Sequence, residues 1–185
     1  MQSLTKPSSR LLLIGYRGTG KTAVARRIAE QLGEDWIDTD AEIEHASGRT
    51  IVNIFSESGE EEFRNLETEV LRRAKEGSYR LLALGGGIVL RKENRQMLRE
   101  MGTTILLQAT PETIFARLTE DPTTDTQRPN LTARGGLEEI VELLEARREL
   151  YEQCANMIVD TDLKSLDQVA DEVLTRSHFG PREEI

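Results

Sequence analysis

The sequence predicts an α/β domain whose helices cover both faces of a five-stranded parallel sheet. Short apolar runs (LLLI, WID, RLLAL, TTILLQAT and NMIVDTD) alternate with stretches of helical period. Glycine follows directly on the first and third of them. The 185 residues suffice for one such core and are too few for a second full domain.

The first run stops at Gly15, and GYRGTGKT follows. Gly15, Gly20, Lys21 and Thr22 fit the P-loop template G-x-x-x-x-G-K-[ST], and Gly18 adds a further residue able to take positive φ. A loop without bulky side chains lets successive backbone N–H groups converge on phosphate oxygens, and the helix that follows points its positive end the same way. Lys21 supplies a cation for the β and γ phosphates; the Thr22 hydroxyl is a hard oxygen ligand suited to Mg²⁺. A glycine turn can also merely save space. The strand-like run before it, with Val24, Ile28 and Leu32 at helical spacing after it, favours phosphate binding.

EDWIDTD gives a second strand, Trp36 to Asp38, which releases Thr39 and Asp40 at the carboxyl edge where open parallel sheets bind ligands. Asp38 and Asp40 alternate along an extended segment, so both can face one side, one for hydrated Mg²⁺ and one for a substrate hydroxyl. The plainer reading makes Asp40 the N-cap of AEIEHASG. His45 sits among charged neighbours and receives no role; Trp36 is expected to pack.

The stretch from Ile51 to Lys75 reads as two helices meeting at Gly59, the second burying Phe63, Leu66, Val70 and Leu71. Arg64 lies beside that stripe. Locally it is an i,i+3 partner for Glu61 or Glu67; a guanidinium there can also grip a carboxylate with two prongs. The third strand ends on Gly85, Gly86 and Gly87. Three successive glycines cost backbone entropy that a plain turn does not require, and close approach of a ligand explains them.

Pro111 opens the helix after the fourth strand. EDPTTDTQRPNLTARGG has no apolar period, carries Arg128 and Arg134, and reads as a lid over about 120–136, with a disordered insertion as the alternative. LEEIVELLEARRELYEQCA is amphipathic through Leu137, Ile140, Val141, Leu144 and Tyr151, and offers Arg147 and Arg148 as a second anion clamp. A fifth strand and a helix capped by Ser165 close the chain, with residues 1–9 as a lead and 177–185 as a tail.

A net charge of -9 and a pI near 4.9 argue against general nucleic-acid affinity. Cys154 is the only cysteine, which rules out an intramolecular disulfide and matches a reducing cytosol. No apolar run is long enough for a bilayer.

As an ordered set, GYRGTGKT, DTD, GEEEFRNLE, GGG, the RP of the lid, RRELY and VDTD resemble the shikimate kinases, from Leu11 to about Leu174. That resemblance implies a single P-loop kinase domain over 10–176, strand order 2-3-1-4-5, acceptor-binding helices at about 40–75 and a mobile lid. It implies nucleotide contacts from Gly18, Thr19, Gly20, Lys21, Thr22, Ala23, Arg128 and Lys164, and metal contacts from Thr22 and Asp38. It places the acceptor on Asp40, Arg64, Gly85, Gly86, Gly87 and Arg147, with Lys21, Asp40 and Arg128 as the catalytic set. The implied reaction is MgATP plus shikimate giving ADP and shikimate 3-phosphate, by a cytoplasmic monomer. Two departures stand out: the lid reads RPNL where the family usually has RPLL, and EDPTTDT lacks a basic residue that many relatives carry. A nucleoside-monophosphate kinase would share the loop and lid without needing both Arg64 and Arg147; a GTPase-type switch would need an N-K-x-D motif that is absent.

Overall fold

A computed structural model describes residues 10–120 and 136–181. Five parallel strands, β1 (Leu11–Ile14), β2 (Trp36–Asp38), β3 (Leu81–Ala83), β4 (Thr103–Gln108) and β5 (Met157–Asp160), lie in the order β2-β3-β1-β4-β5. The helices are α1 (Lys21–Leu32), α2 (Thr39–Ser47), α3 (Ile51–Glu76), α4 (Lys92–Met101), α5 (Pro111–Glu120), α6 (Gly136–Cys154) and α7 (Leu166–Ser177). The order is the one the resemblance implies. It brings Gly15, Asp38, Gly85 and Asp160 to one edge of the sheet.

Side chains of β1 alternate between two cores, as a period of two demands. Leu11 and Leu13 pack with Val24, Ile28, Val169 and Val173 of α1 and α7. Leu12 and Ile14 pack with Leu71, Leu98 and Tyr151 of α3, α4 and α6. A central strand covered on both faces can be continuously apolar, which is why LLLI carries no alternation. A separate cluster of Ile43, Ile51, Ile54, Phe63 and Val70 holds α2 to α3. As expected, α3 breaks at Gly59 (φ 81°, ψ 175°), and Ser165 starts α7 through a reciprocal capping box with Gln168.

Three expectations need correction. No helix is singled out from the sequence at Lys92–Met101, although KENRQMLREM is amphipathic; α4 buries Asn94, Leu98 and Met101. In α6, Leu137 and Val141 are exposed, while Glu139 and Arg147 are buried beside Ile140 and Tyr151. Its inner face is thus partly charged because it borders a cleft. Finally, packing runs past Ser177. Phe179 joins the core of α1 and α7, its ring 4.7 Å from the Arg80 guanidinium. Arg80 also pairs with buried Glu34 and donates to the Gly180 carbonyl at 2.9 Å. The lid expected at 120–136, with Arg128 and Arg134, falls almost entirely outside the described residues.

Truncating Phe179→Ala should therefore cost about 3 kcal/mol through lost burial and a cavity, read as a lower urea midpoint at unchanged slope.

Candidate active site

The phosphate loop is shaped by what surrounds it. Gly15 has φ 141°, and a Cβ there would strike the Leu107 carbonyl of β4, so only glycine fits. The Tyr16 carbonyl accepts from Lys21 Nζ at 2.9 Å and from Thr19 Oγ1 at 2.8 Å, which draws the loop around its own backbone. Thr22 Oγ1 donates to Asp38 Oδ2 at 2.6 Å. This pairs a hydroxyl with a carboxylate beside a phosphate loop. Both are hard oxygen donors and suit Mg²⁺, which usually keeps several waters and binds through one or two protein groups plus phosphates.

Asp38 is also the N-cap of α2: its Oδ1 accepts from the amides of Asp40 at 2.9 Å and Ala41 at 3.3 Å. The plainer sequence reading gave that part to Asp40. The extended segment ends at Asp38, so Asp40 reaches the cleft from the first helical turn, not by strand alternation. Its carboxylate lies against Gly85.

Two of the three glycines, Gly85 and Gly87, are explained by side chains of the protein itself; at Gly86 a Cβ would meet only ordinary contacts. A Cβ on Gly85 would collide with Asp40 and crowd Glu67; one on Gly87 would overlap the Arg64 guanidinium. The Gly85 amide donates to Thr39 Oγ1 at 2.9 Å. The Gly86 carbonyl accepts from Tyr151 Oη at 2.6 Å and from Arg147 at 3.4 Å.

Arg64 is buried and pairs with Glu67 and, at 2.9 Å, with Glu60. Glu61, one of its two candidate partners by local spacing, pairs with Arg91 instead. Burial works to lower the Arg64 pKa, but the Glu67 and Glu60 carboxylates together outweigh it and the net shift is upward. Burial raises Glu67 despite Arg64, and its Oε1 has no hydrogen-bond partner among the described residues. Burial pushes the Tyr151 phenol up to about 12, so it stays a neutral donor.

These groups meet in one cleft of about 460 Å³, counted to its open mouth, lined by Tyr16, Asp40, Phe63, Arg64, Gly86 and Arg147 among others. Arg64 and Arg147, distant in sequence, share it as expected. Arg17 joins them, and sequence reasoning passed over it. Its partner is Glu139, fully buried at the start of α6, at 3.1 Å. Nothing local announces a pair 122 residues apart. Arg147 differs from the other two guanidiniums. It is 7% exposed, donates to the Gly86 carbonyl at 3.4 Å, and lies beside Tyr151 and within the field of Glu67 without forming a salt bridge among the described residues. Arg148, offered with it as a clamp, points to the surface and pairs with Glu145.

A second hollow, lined by Thr19, Gly20, Ala23, Arg117, Thr161, Lys164 and Leu166, adjoins the phosphate loop. Lys164 borders it, but its ammonium pairs with Glu172 at 2.7 Å. Arg117 is the other group sequence reasoning missed; it donates to the Gly18 carbonyl at 3.3 Å and to Thr161. Arg128 lies outside the described residues.

The double duty of Asp38 separates two substitutions. Asn caps a helix about as well as Asp, so Asp38→Asn should keep the parent thermal midpoint while raising the Mg²⁺ needed for half-maximal turnover several-fold. Asp38→Ala should also lose about 1 kcal/mol of stability. Chemical denaturation and a Mg²⁺ titration read the two effects separately.

Residues 17–177 match the family model described as shikimate kinase. A shikimate kinase of Symbiobacterium thermophilum is 42% identical over 166 residues, covering 90% of this chain and 94% of that protein. Shikimate kinase 2 of Photorhabdus laumondii is 42% identical over 83% of this chain and 87% of its own length. The structure of shikimate kinase from Acinetobacter baumannii in complex with shikimate superposes with a TM-score of 0.85 at 32% identity, covering 92% of this chain and 93% of that one. With its glycine turn, phosphate loop and arginine-lined cleft in the order that family shares, this chain belongs to the shikimate kinases.

Proposed function

We infer that this chain transfers the γ-phosphate of MgATP to the 3-hydroxyl of shikimate, giving ADP and shikimate 3-phosphate on the route to chorismate and the aromatic amino acids. The observation that carries the reading is Arg147. A guanidinium removed from water, with Glu67 in its field but no salt bridge among the described residues, is costly to hold, and an anionic ligand relieves that cost. With Arg64 in the same cleft, the shikimate carboxylate has two planar donors to bridge.

The hydroxyl end of the acceptor then faces Asp40 and the amides of Gly86 and Gly87. Asp40 orients the attacking oxygen and takes its proton; Lys21 leaves the Tyr16 carbonyl for the β and γ phosphates. Thr22 and Asp38 would hold Mg²⁺, which neutralises phosphate charge when bound. Arg128 is assigned to the lid side of the same phosphoryl group, and Arg117 to the nucleotide hollow. Phosphoryl transfer asks for positioning and charge more than covalent chemistry, which suits a site built of fixed arginines and backbone amides. A buried lone thiol and an acidic surface fit a cytoplasmic monomer.

A coupled ADP-release assay with shikimate should show Mg²⁺-dependent turnover. Asp40→Asn should lower kcat by about 100-fold or more with a small change in KM. Arg147→Met should raise the shikimate KM by about 30-fold or more, with the MgATP KM nearly constant. Release of ADP with nucleoside monophosphates and none with shikimate would overturn the reading.

Linkage adds a test through Glu67. Its folded-state pKa lies above the unfolded value, so the folded protein holds this proton more tightly. Stability contributed here is full below the unfolded pKa, near 4.3, and is lost as pH rises through the folded one. Glu67→Gln should flatten that part of a urea-midpoint profile against pH.

A further inference from the structure

We propose that Tyr16 is a positioning residue for the acceptor, its ring face holding the Arg147 guanidinium, which forms no salt bridge among the described residues. The phosphate-loop template leaves position 16 open, so phosphate binding does not demand an aromatic there. Yet Tyr16 is 1% exposed, packed with Ile114 and Ile140, and it lines the acceptor cleft. The Arg147 Cζ lies 5.9 Å from its ring centroid, within the range where a guanidinium is drawn to a π face. Arg17 lies at the same distance, but Glu139 holds it independently.

For Arg147 the alternatives are few. Its hydrogen bond to Gly86 is 3.4 Å long, and Tyr151 already donates to that carbonyl at 2.6 Å. A carboxylate partner would fix the arginine more firmly but would compete with an anionic ligand. An aromatic face steadies the cation and leaves its N–H edge open. Burial also raises the Tyr16 pKa, which keeps the phenol neutral. Meanwhile the backbone carbonyl of the same residue holds Lys21. One residue therefore touches the nucleotide side through its main chain and the acceptor side through its ring.

This inference rests on the reading that Arg147 receives the acceptor carboxylate, and the test separates the two. Tyr16→Phe sets the reference, and phenylalanines carrying one and then three ring fluorines at position 16 drain the π face while nearly keeping its shape. The shikimate KM should climb stepwise, by about 3- to 10-fold at three fluorines, with the MgATP KM flat and the melting temperature little changed. In an Arg147→Met background the climb should vanish. A flat shikimate KM across the series, a parallel rise for both substrates, or a climb that survives Arg147→Met would each overturn the role of Tyr16. If Arg147→Met alone leaves the shikimate KM unmoved, the assignment of the carboxylate to Arg147 falls as well.

Discussion

The site depends on a stretch of backbone that cannot carry side chains. At Gly85 and Gly87 the space a Cβ would need is filled by Asp40, Glu67 and Arg64. The turn is therefore a floor on which acidic and basic groups from α2 and α3 are set close together. Since β3 pairs with both β1 and β2, that floor lies beside the phosphate loop and beside the end of the strand bearing Asp38. Sheet order thus makes neighbours of the three loops that follow β1, β2 and β3.

Charge inside the cleft is graded. Arg64 is offset by Glu67 and Glu60, and Arg17 by Glu139, whereas Arg147 is held by a ring face and a long hydrogen bond. Two neutralised arginines can shape a pocket without drawing in every anion that passes. The third, Arg147, forms no salt bridge among the described residues, so its charge is the least offset of the three. Burial makes the difference large, because water would otherwise screen all three alike.

Much of this was readable in the chain. LLLI followed by GYRGTGKT locates the phosphate loop, Gly59 breaks a helix where a break was expected, and Ser165 caps where a cap was expected. These features are local, and local features leave marks in sequence. What escaped was long-range. The pair Arg17–Glu139 and the contacts of Arg117 with Gly18 and Thr161 join segments with no shared period. The strand order itself came from the family resemblance, since alternation fixes strands but not their neighbours. Arg64 shows how local spacing misleads: the pairing with Glu67 is real, and it fixes the guanidinium in the cleft instead of spending it on the surface.

The lone thiol has a practical side. Cys154 is buried in the core of α3, α4 and α6, and burial pushes its pKa up, so it resists alkylating reagents while the protein is folded. Leu163, by contrast, is fully exposed at the turn next to the hollow that adjoins the phosphate loop. A cysteine placed there would take a fluorophore almost alone, giving an optical reporter of nucleotide arrival without first stripping the native chain of its sulfhydryl.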